Sequence, residues 1–198
     1  MFNNRIKVKE TFILYPKKAA LLVIDVQNHF ASPHGRSYKP ASKVAVPNIL
    51  KLINWCESAS VPVIFTQHCH KNVSDLGMIG KFYDDHIREG EWDSEIIDDL
   101  NSIKRAALIK KDTYDAFWNT ELQDILASLK VEQLIICGGI THLCCETTAR
   151  SAFVRGFEVY FVSDATFSST LELHEGSLCS IANGFGLVTT TEGILSCR

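Results

Sequence analysis

Three side chains of this sequence could together make a nucleophile. Cys144 follows Gly138 and Gly139 and stands where a helical pattern begins. The free N–H groups and positive dipole end of a helix start favour a thiolate and would hold an oxyanion. The plainer interpretation is a small buried apolar residue, the usual state of a free cysteine. Asp25 ends an otherwise apolar run, where a loop or helix-capping carboxylate is equally at home. Lys110 and Lys111 close a later run, and paired lysines at such a place are commonly solvated. The combination says more than its members. A buried acid beside a cation and a thiol is the set that activates a nucleophile near neutral pH. Cys145 lies about 100° further round the same helix and reads as packing, since adjacent helical side chains cannot share one pocket.

These residues fall at the ends of the elements the pattern predicts. Apolar runs at residues 19–26, 61–66, 105–110, 133–137, 158–162 and 186–189 read as strands. Helical patterns at 44–58, 94–100, 121–129, 141–155 and 171–183 alternate with them. Pro47 is tolerable in a first helical turn, Thr120 with Gln123 suits a capping box, and Gly156 ends a helix. Continuous apolar strands separated by helices imply a parallel sheet covered on both faces, hence an α/β fold and a three-layer α/β/α sandwich with six strands. Ligands of such sheets bind beyond the carboxyl ends of the strands. That rule selects Asp25, Gln67 and His68, Lys110 and Lys111, 138–144, and Asp164 with Thr166. Residues 68–92 form a long irregular stretch with His68, His70 and His86, the composition of a lid or binding loop. The aromatics Phe30, Tyr114, Phe117 and Trp118 are expected to shape the pocket.

Composition narrows the partners. With 198 residues the chain is expected to form one domain, 1–198. Lys plus Arg total 20 against 23 Asp plus Glu, a net charge of -3 that offers no attraction to nucleic acid or an anionic membrane. No apolar run approaches the roughly 20 residues that span a bilayer. The polar residues 1–10 and the short apolar piece after them do not resemble a signal peptide. Seven cysteines, an odd number at irregular spacing, argue for reduced thiols and a cytoplasmic location.

Three motifs carry a family resemblance: Val23-Ile24-Asp25-Val26-Gln27-Asn28-His29-Phe30, Lys111-Asp112-Thr113-Tyr114-Asp115-Ala116-Phe117, and Gly138-Gly139-Ile140-Thr141-His142-Leu143-Cys144. In this order and spacing, over residues 17–190, the chain resembles the isochorismatase-like cysteine hydrolases. These include nicotinamidases, N-carbamoylsarcosine amidases, ureidoacrylate amidases and isochorismatases proper. The resemblance implies a Rossmann-like sheet of order 3-2-1-4-5-6 and a catalytic triad of Asp25, Lys111 and Cys144. Asp25 would be the general base, Lys111 rather than Lys110 its cation, and Cys144 the nucleophile. It also implies an oxyanion hole from the backbone N–H groups of Ile140 and Cys144, and a cis peptide between Gly139 and Ile140. In that strand order Lys111 starts two strands from Asp25, about 10 Å away, so its long side chain must close the gap.

The resemblance implies hydrolysis of a C–N bond in a small amide or carbamoyl substrate through a thioester, with no cofactor. Phe30, His68, Tyr114 and Phe117 are the expected substrate-binding residues. Two departures from the family pattern stand out. His29-Phe30 replaces a frequent Asp-Phe, a change expected to be structural. Nicotinamidases carry an Asp-x-His metal pair where this chain has His68-Cys69-His70. Two histidines at i and i+2 in extended chain point to opposite faces, so the expectation is no metal and an amidase other than a nicotinamidase. Two alternatives remain: an isochorismatase, which protonates a vinyl ether and needs no thiol, and a non-catalytic thiol-based binding or regulatory protein using Cys144 and Cys145. Family members usually associate, which implies a homo-oligomer, dimer or tetramer, with Phe153, Phe157 and Phe167 as a candidate contact surface.

Overall fold

The structure is a computed structural model that describes residues 12–197; residues 1–10 therefore lie outside it. Six strands, β1 (Ala19–Ile24), β2 (Val63–His68), β3 (Ala107–Lys111), β4 (Gln133–Gly139), β5 (Glu158–Phe167) and β6 (Leu187–Thr189), form one parallel sheet. Its order is β3-β2-β1-β4-β5-β6. The helices are α1 (Asn28–Ala31), α2 (Ser42–Ala59), α3 (Asp98–Asn101), α4 (Leu122–Ser128), α5 (Glu146–Val154), α6 (Leu171–Gly184) and α7 (Thr191–Leu195).

β1 shows why the sheet must be covered twice. All six of its residues are buried. Side chains alternate across a strand, so Ala19, Leu21 and Val23 enter one core while Ala20, Leu22 and Ile24 enter the other. The first core takes Ala45, Val46, Ile49, Leu52, Ile53 and Cys56 of α2 and Ile194 of α7. The second takes Leu122 and Leu126 of α4, Ala149 and Ala152 of α5 and Ile181 of α6. Each buried Leu or Ile side chain contributes about 1.5–3 kcal/mol relative to exposure.

The local expectations hold with adjustments. α2 starts at Ser42, so Pro47 lies beyond the first turn and deprives the helix of one intrahelical donor. Thr120 is not the N-cap of α4, which is Glu121; its hydroxyl accepts from Leu122 N–H at 3.3 Å, at the start of the helix, and donates to the Ala116 carbonyl. The expected helix over 141–155 begins as a π-helical turn, Thr141–Cys145, before α5. Of the proposed contact aromatics, Phe167 is core, Phe157 stacks on Phe117 at 5.9 Å, and Phe153 is exposed. Among the described residues no helix is long and apolar enough to cross a membrane.

Candidate active site

The strand order reverses between β1 and β4, and Asp25 and Cys144 follow these two strands. Asp25 has a left-handed backbone, φ 47°, which bends the chain out of the sheet, and Asp tolerates that region better than most residues. Its backbone N–H donates to Thr66 Oγ1 at 3.1 Å, and the same hydroxyl donates to Asp25 Oδ1 at 2.5 Å. Lys111 ends β3, opposite His68 in register. Its side chain crosses beneath the end of β2 and brings Nζ to 2.6 Å from Asp25 Oδ2, with both side chains wholly buried. Nζ also donates to the Thr113 carbonyl at 2.9 Å. Burial alone would push the ammonium down; Asp25 and Cys144 outweigh it and hold Lys111 above the ordinary lysine value. Lys110, its neighbour, points outward to Glu89 at 2.6 Å.

Cys144 is delivered by two glycines and the π turn. Gly138 has φ +110°, and a Cβ there would stand 2.1 Å from the Ile24 carbonyl oxygen, so β4 can lie this close to the end of β1 only with glycine. The Gly139–Ile140 peptide is cis. Cys144 is 4% exposed, and its sulfur lies within 4.8 Å of donor atoms of Asp25 and His68. Burial pushes its thiol up to about 12; Lys111 opposes that shift and Asp25 adds to it. Desolvation and Asp25 therefore work against the thiolate that the helix start and Lys111 favour. A consequence is readable by alkylation. All seven cysteines are free, and Cys179 on α6 is exposed while Cys144 is buried. In a short iodoacetamide pulse at neutral pH, Cys179 is expected to label ahead of Cys144, as peptide mass spectrometry would record. Cys144 labelling first would point to a resting thiolate.

A cavity of about 130 Å³ opens over the sulfur. Phe30, His68 and Tyr114 line it together with Ile140, His142 and Cys144. Phe117 does not. It is buried in the second core, where Asp115 Oδ1 accepts from its N–H at 2.8 Å and Thr148 Oγ1 accepts from Ala116 N–H at 3.1 Å. These bonds draw the chain under α5, while Trp118 emerges at the surface. The stretch 68–92 does cover the site, supplying His70, Ile79, Tyr83, Asp85, His86 and Ile87 to the wall. It is fastened by residues not singled out from the sequence. Gln27 accepts from His68 N–H at 2.9 Å and donates to the carbonyls of His68 and Ser94. Arg36 pairs with Asp85 at 2.8 Å and with Asp93, and donates to the His86 carbonyl. Gln27 stood within the first motif, but nothing in its type announced a brace. Arg36 pairs across some fifty residues, which no local spacing encodes.

His68 and His70 do not diverge. β2 ends at His68, the chain runs on beside Lys111 and Arg88, and the two rings meet edge to face with centroids 4.8 Å apart. One nitrogen of each ring is engaged, while His70 Nδ1 is buried without a hydrogen-bond partner. His70 Nε2 is on the Asp112 carbonyl at 2.9 Å, and His68 Nδ1 faces Lys111 Nζ at 3.5 Å. Among the described residues the one converging donor set is Asp25, His68 and Cys144. There the Lys111 ammonium already stands against the carboxylate, so a second cation would meet its charge.

Burial, then Lys111, pushes His68 down to about 3. An unfolded histidine takes a proton below about 6.5, whereas this folded one does not, so stability rises with pH over that window and is lost on acidification. This group alone is expected to remove about 2 kcal/mol between pH 6.5 and about pH 5. Urea midpoints at pH 7 and pH 5 would show the drop, reduced in His68→Gln; an unchanged midpoint would contradict it.

Comparison with known proteins places the chain among relatives of one kind. The isochorismatase-domain family model matches residues 19–193. Nicotinamidase 3 of Arabidopsis thaliana is 45% identical over 172 residues, covering 85% of this chain and 83% of the relative. An isochorismatase of Bacillus subtilis (strain 168) is 29% identical, covering 94% of this chain but only 60% of that protein. The crystal structure of a cysteine hydrolase from Pseudomonas syringae pv. phaseolicola 1448A superposes with a TM-score of 0.88 at 31% identity, covering 93% of both chains.

Proposed function

The chain belongs to the isochorismatase-like hydrolase family, and on that premise we propose that it hydrolyses a small amide, releasing ammonia and a carboxylic acid through a thioester on Cys144. The observation that carries this reading is the buried Lys111–Asp25 pair at 2.6 Å with a thiol sulfur within 4.8 Å of the acid and His68.

Asp25 takes the thiol proton as Cys144 Sγ attacks the carbonyl carbon. Burial works against a free thiolate, which suits a proton transfer that accompanies the attack. Lys111 keeps Asp25 ionised for this step. The backbone N–H groups of Ile140 and Cys144 receive the oxyanion. Asp25 then gives its proton to the departing nitrogen, leaving the acyl thioester. A water molecule loses a proton to Asp25 and adds to the thioester carbonyl; collapse frees the acid and restores the thiol. Every step uses the chain's own groups, with no cofactor. A cavity of about 130 Å³ falls below the roughly 300–1,000 Å³ of drug-sized sites, so the substrate is small.

Ammonia release from a panel of small amides, ureas and carbamoyl compounds tests the reading. Nicotinamide belongs in the panel because a 45% identical relative carries the name nicotinamidase. Turnover of at least one amide, abolished in Cys144→Ala, is expected. Consumption of isochorismate with no ammonia from any panel member would overturn it in favour of vinyl-ether hydrolysis.

A further inference from the structure

The charges lining the cavity do not balance. Lys39 is the one lysine or arginine in its wall and Asp85 the one acid. Asp85 is already held by Arg36 at 2.8 Å. Lys39 has no such partner: among the described residues no carboxylate lies within ion-pair distance of its Nζ, which donates to Ser37 Oγ at 2.9 Å. A histidine is neutral or cationic, so none can offset it. Burial holds His29, His68 and His142 below the ordinary imidazole value, so they face the cavity uncharged near neutral pH.

The lysine's position is built by the fold. The Lys39 N–H donates to the Phe30 carbonyl at 2.8 Å, the Lys39 carbonyl accepts from Ser42 N–H at 2.9 Å, and Pro40 behind it favours extended backbone. Lys39 is half-buried and its charge is felt by His142, whose Nδ1 pairs with Ser168 Oγ at 2.7 Å. Ser37 and Ser169 add hydroxyls to the same wall, and Phe30, Tyr83 and Tyr114 supply apolar surface. Burial already pushes the Lys39 ammonium down, a cost that a bound anion would recover. Charge-assisted bonds to a carboxylate are the strong class for such a donor.

We propose that Lys39 is a specificity residue that receives a carboxylate carried by the substrate, so that among small amides the protein selects those bearing an acid group. The proposal deepens the amidase reading and rests on it for the word amide, whereas the anion subsite can be tested without turnover.

Succinamate and butyramide are a matched pair, one with a carboxylate and one without. Calorimetric titration of the Cys144→Ala protein, which cannot turn either over, is expected to show succinamate binding at least about tenfold tighter. That preference should fall in high salt, shrink to less than about threefold in Lys39→Met, and persist in Lys39→Arg, with circular dichroism confirming that each variant is folded. Equal binding of the two amides, no binding of succinamate, or a preference untouched by Lys39→Met would overturn the anion subsite. Ammonia release by the unaltered protein separates the two readings. Lys39-dependent binding of succinamate, with no ammonia from any amide, would sink the amidase reading and leave the subsite standing.

Discussion

Replacing Cys144 by alanine is expected to lower kcat for amide hydrolysis by at least about a thousandfold, inside the roughly millionfold loss that removing a nucleophile can cause. The fold should survive, because the side chain is small and its neighbours Asp25 and Lys111 still satisfy each other. Asp25→Asn keeps the shape but cannot accept the thiol proton, and should cost about 10²–10⁴-fold. If the two residues act in one proton-transfer unit, Asp25→Asn combined with Cys144→Ala should be little worse than Cys144→Ala alone. Single-turnover and steady-state rates for the two singles and the double would decide the matter. Losses that multiply would mean that acid and thiol act independently. Full activity in Cys144→Ala would end the thioester mechanism.

Lys111→Met should fail differently, through stability as much as rate. Strand-end polar residues ordinarily contribute little to a core, and from sequence such a change looks tolerable. Here both members of the pair are 0% exposed, so methionine would strand a buried carboxylate without its cation. Breaking a buried pair in this way costs about 3–5 kcal/mol. The urea midpoint of Lys111→Met at neutral pH should therefore fall steeply. Adding Asp25→Asn should restore most of it, since the stranded charge is then gone, while activity stays lost. A double variant no more stable than Lys111→Met would show that the methionine disturbs packing and not charge. Undiminished activity in Lys111→Met would move the cation's role elsewhere, although Lys110 is already turned out to Glu89.

The sheet was legible because its strands are continuous apolar runs. All six residues of β1 are buried, and no amphipathic alternative fits such a segment. The strand-end rule then reached Asp25, Lys111 and Cys144 without coordinates. What could not be read is where a side chain points once its strand has ended. His68 and His70 would diverge in ideal extended chain, yet past the end of β2 their rings meet edge to face. Phe117 follows the same strand end as Tyr114, but Asp115 and Thr148 pull it into the core while Tyr114 stays on the cavity wall. The thiol's surroundings are hidden from sequence for a related reason. A helix start is visible in sequence, whereas the degree of desolvation that opposes it depends on every neighbour packed around the sulfur. Lys39 and Arg36 sit in an unpatterned loop, and their meaning comes only from partners, or the lack of them, across the fold.

The π turn of Thr141–Cys145 also governs how the chain tolerates changes of length. Its i→i+5 closure holds one residue more than an α turn would. That residue is slack between two anchored bodies, β4 in its ladders and α5 through Ala149 and Ala152. A one-residue deletion would straighten the turn into α-helix. Either α5 would rotate by about 100° and lose its seat, or Cys144 would leave its station opposite Asp25. Around Gly77 and Gly90 nothing is packed within 4 Å of where a Cβ would stand, although their positive φ, +50° and +82°, suits glycine. Insertions and deletions should therefore accumulate in that covering loop, while the few residues ahead of the thiol keep an unchanging count.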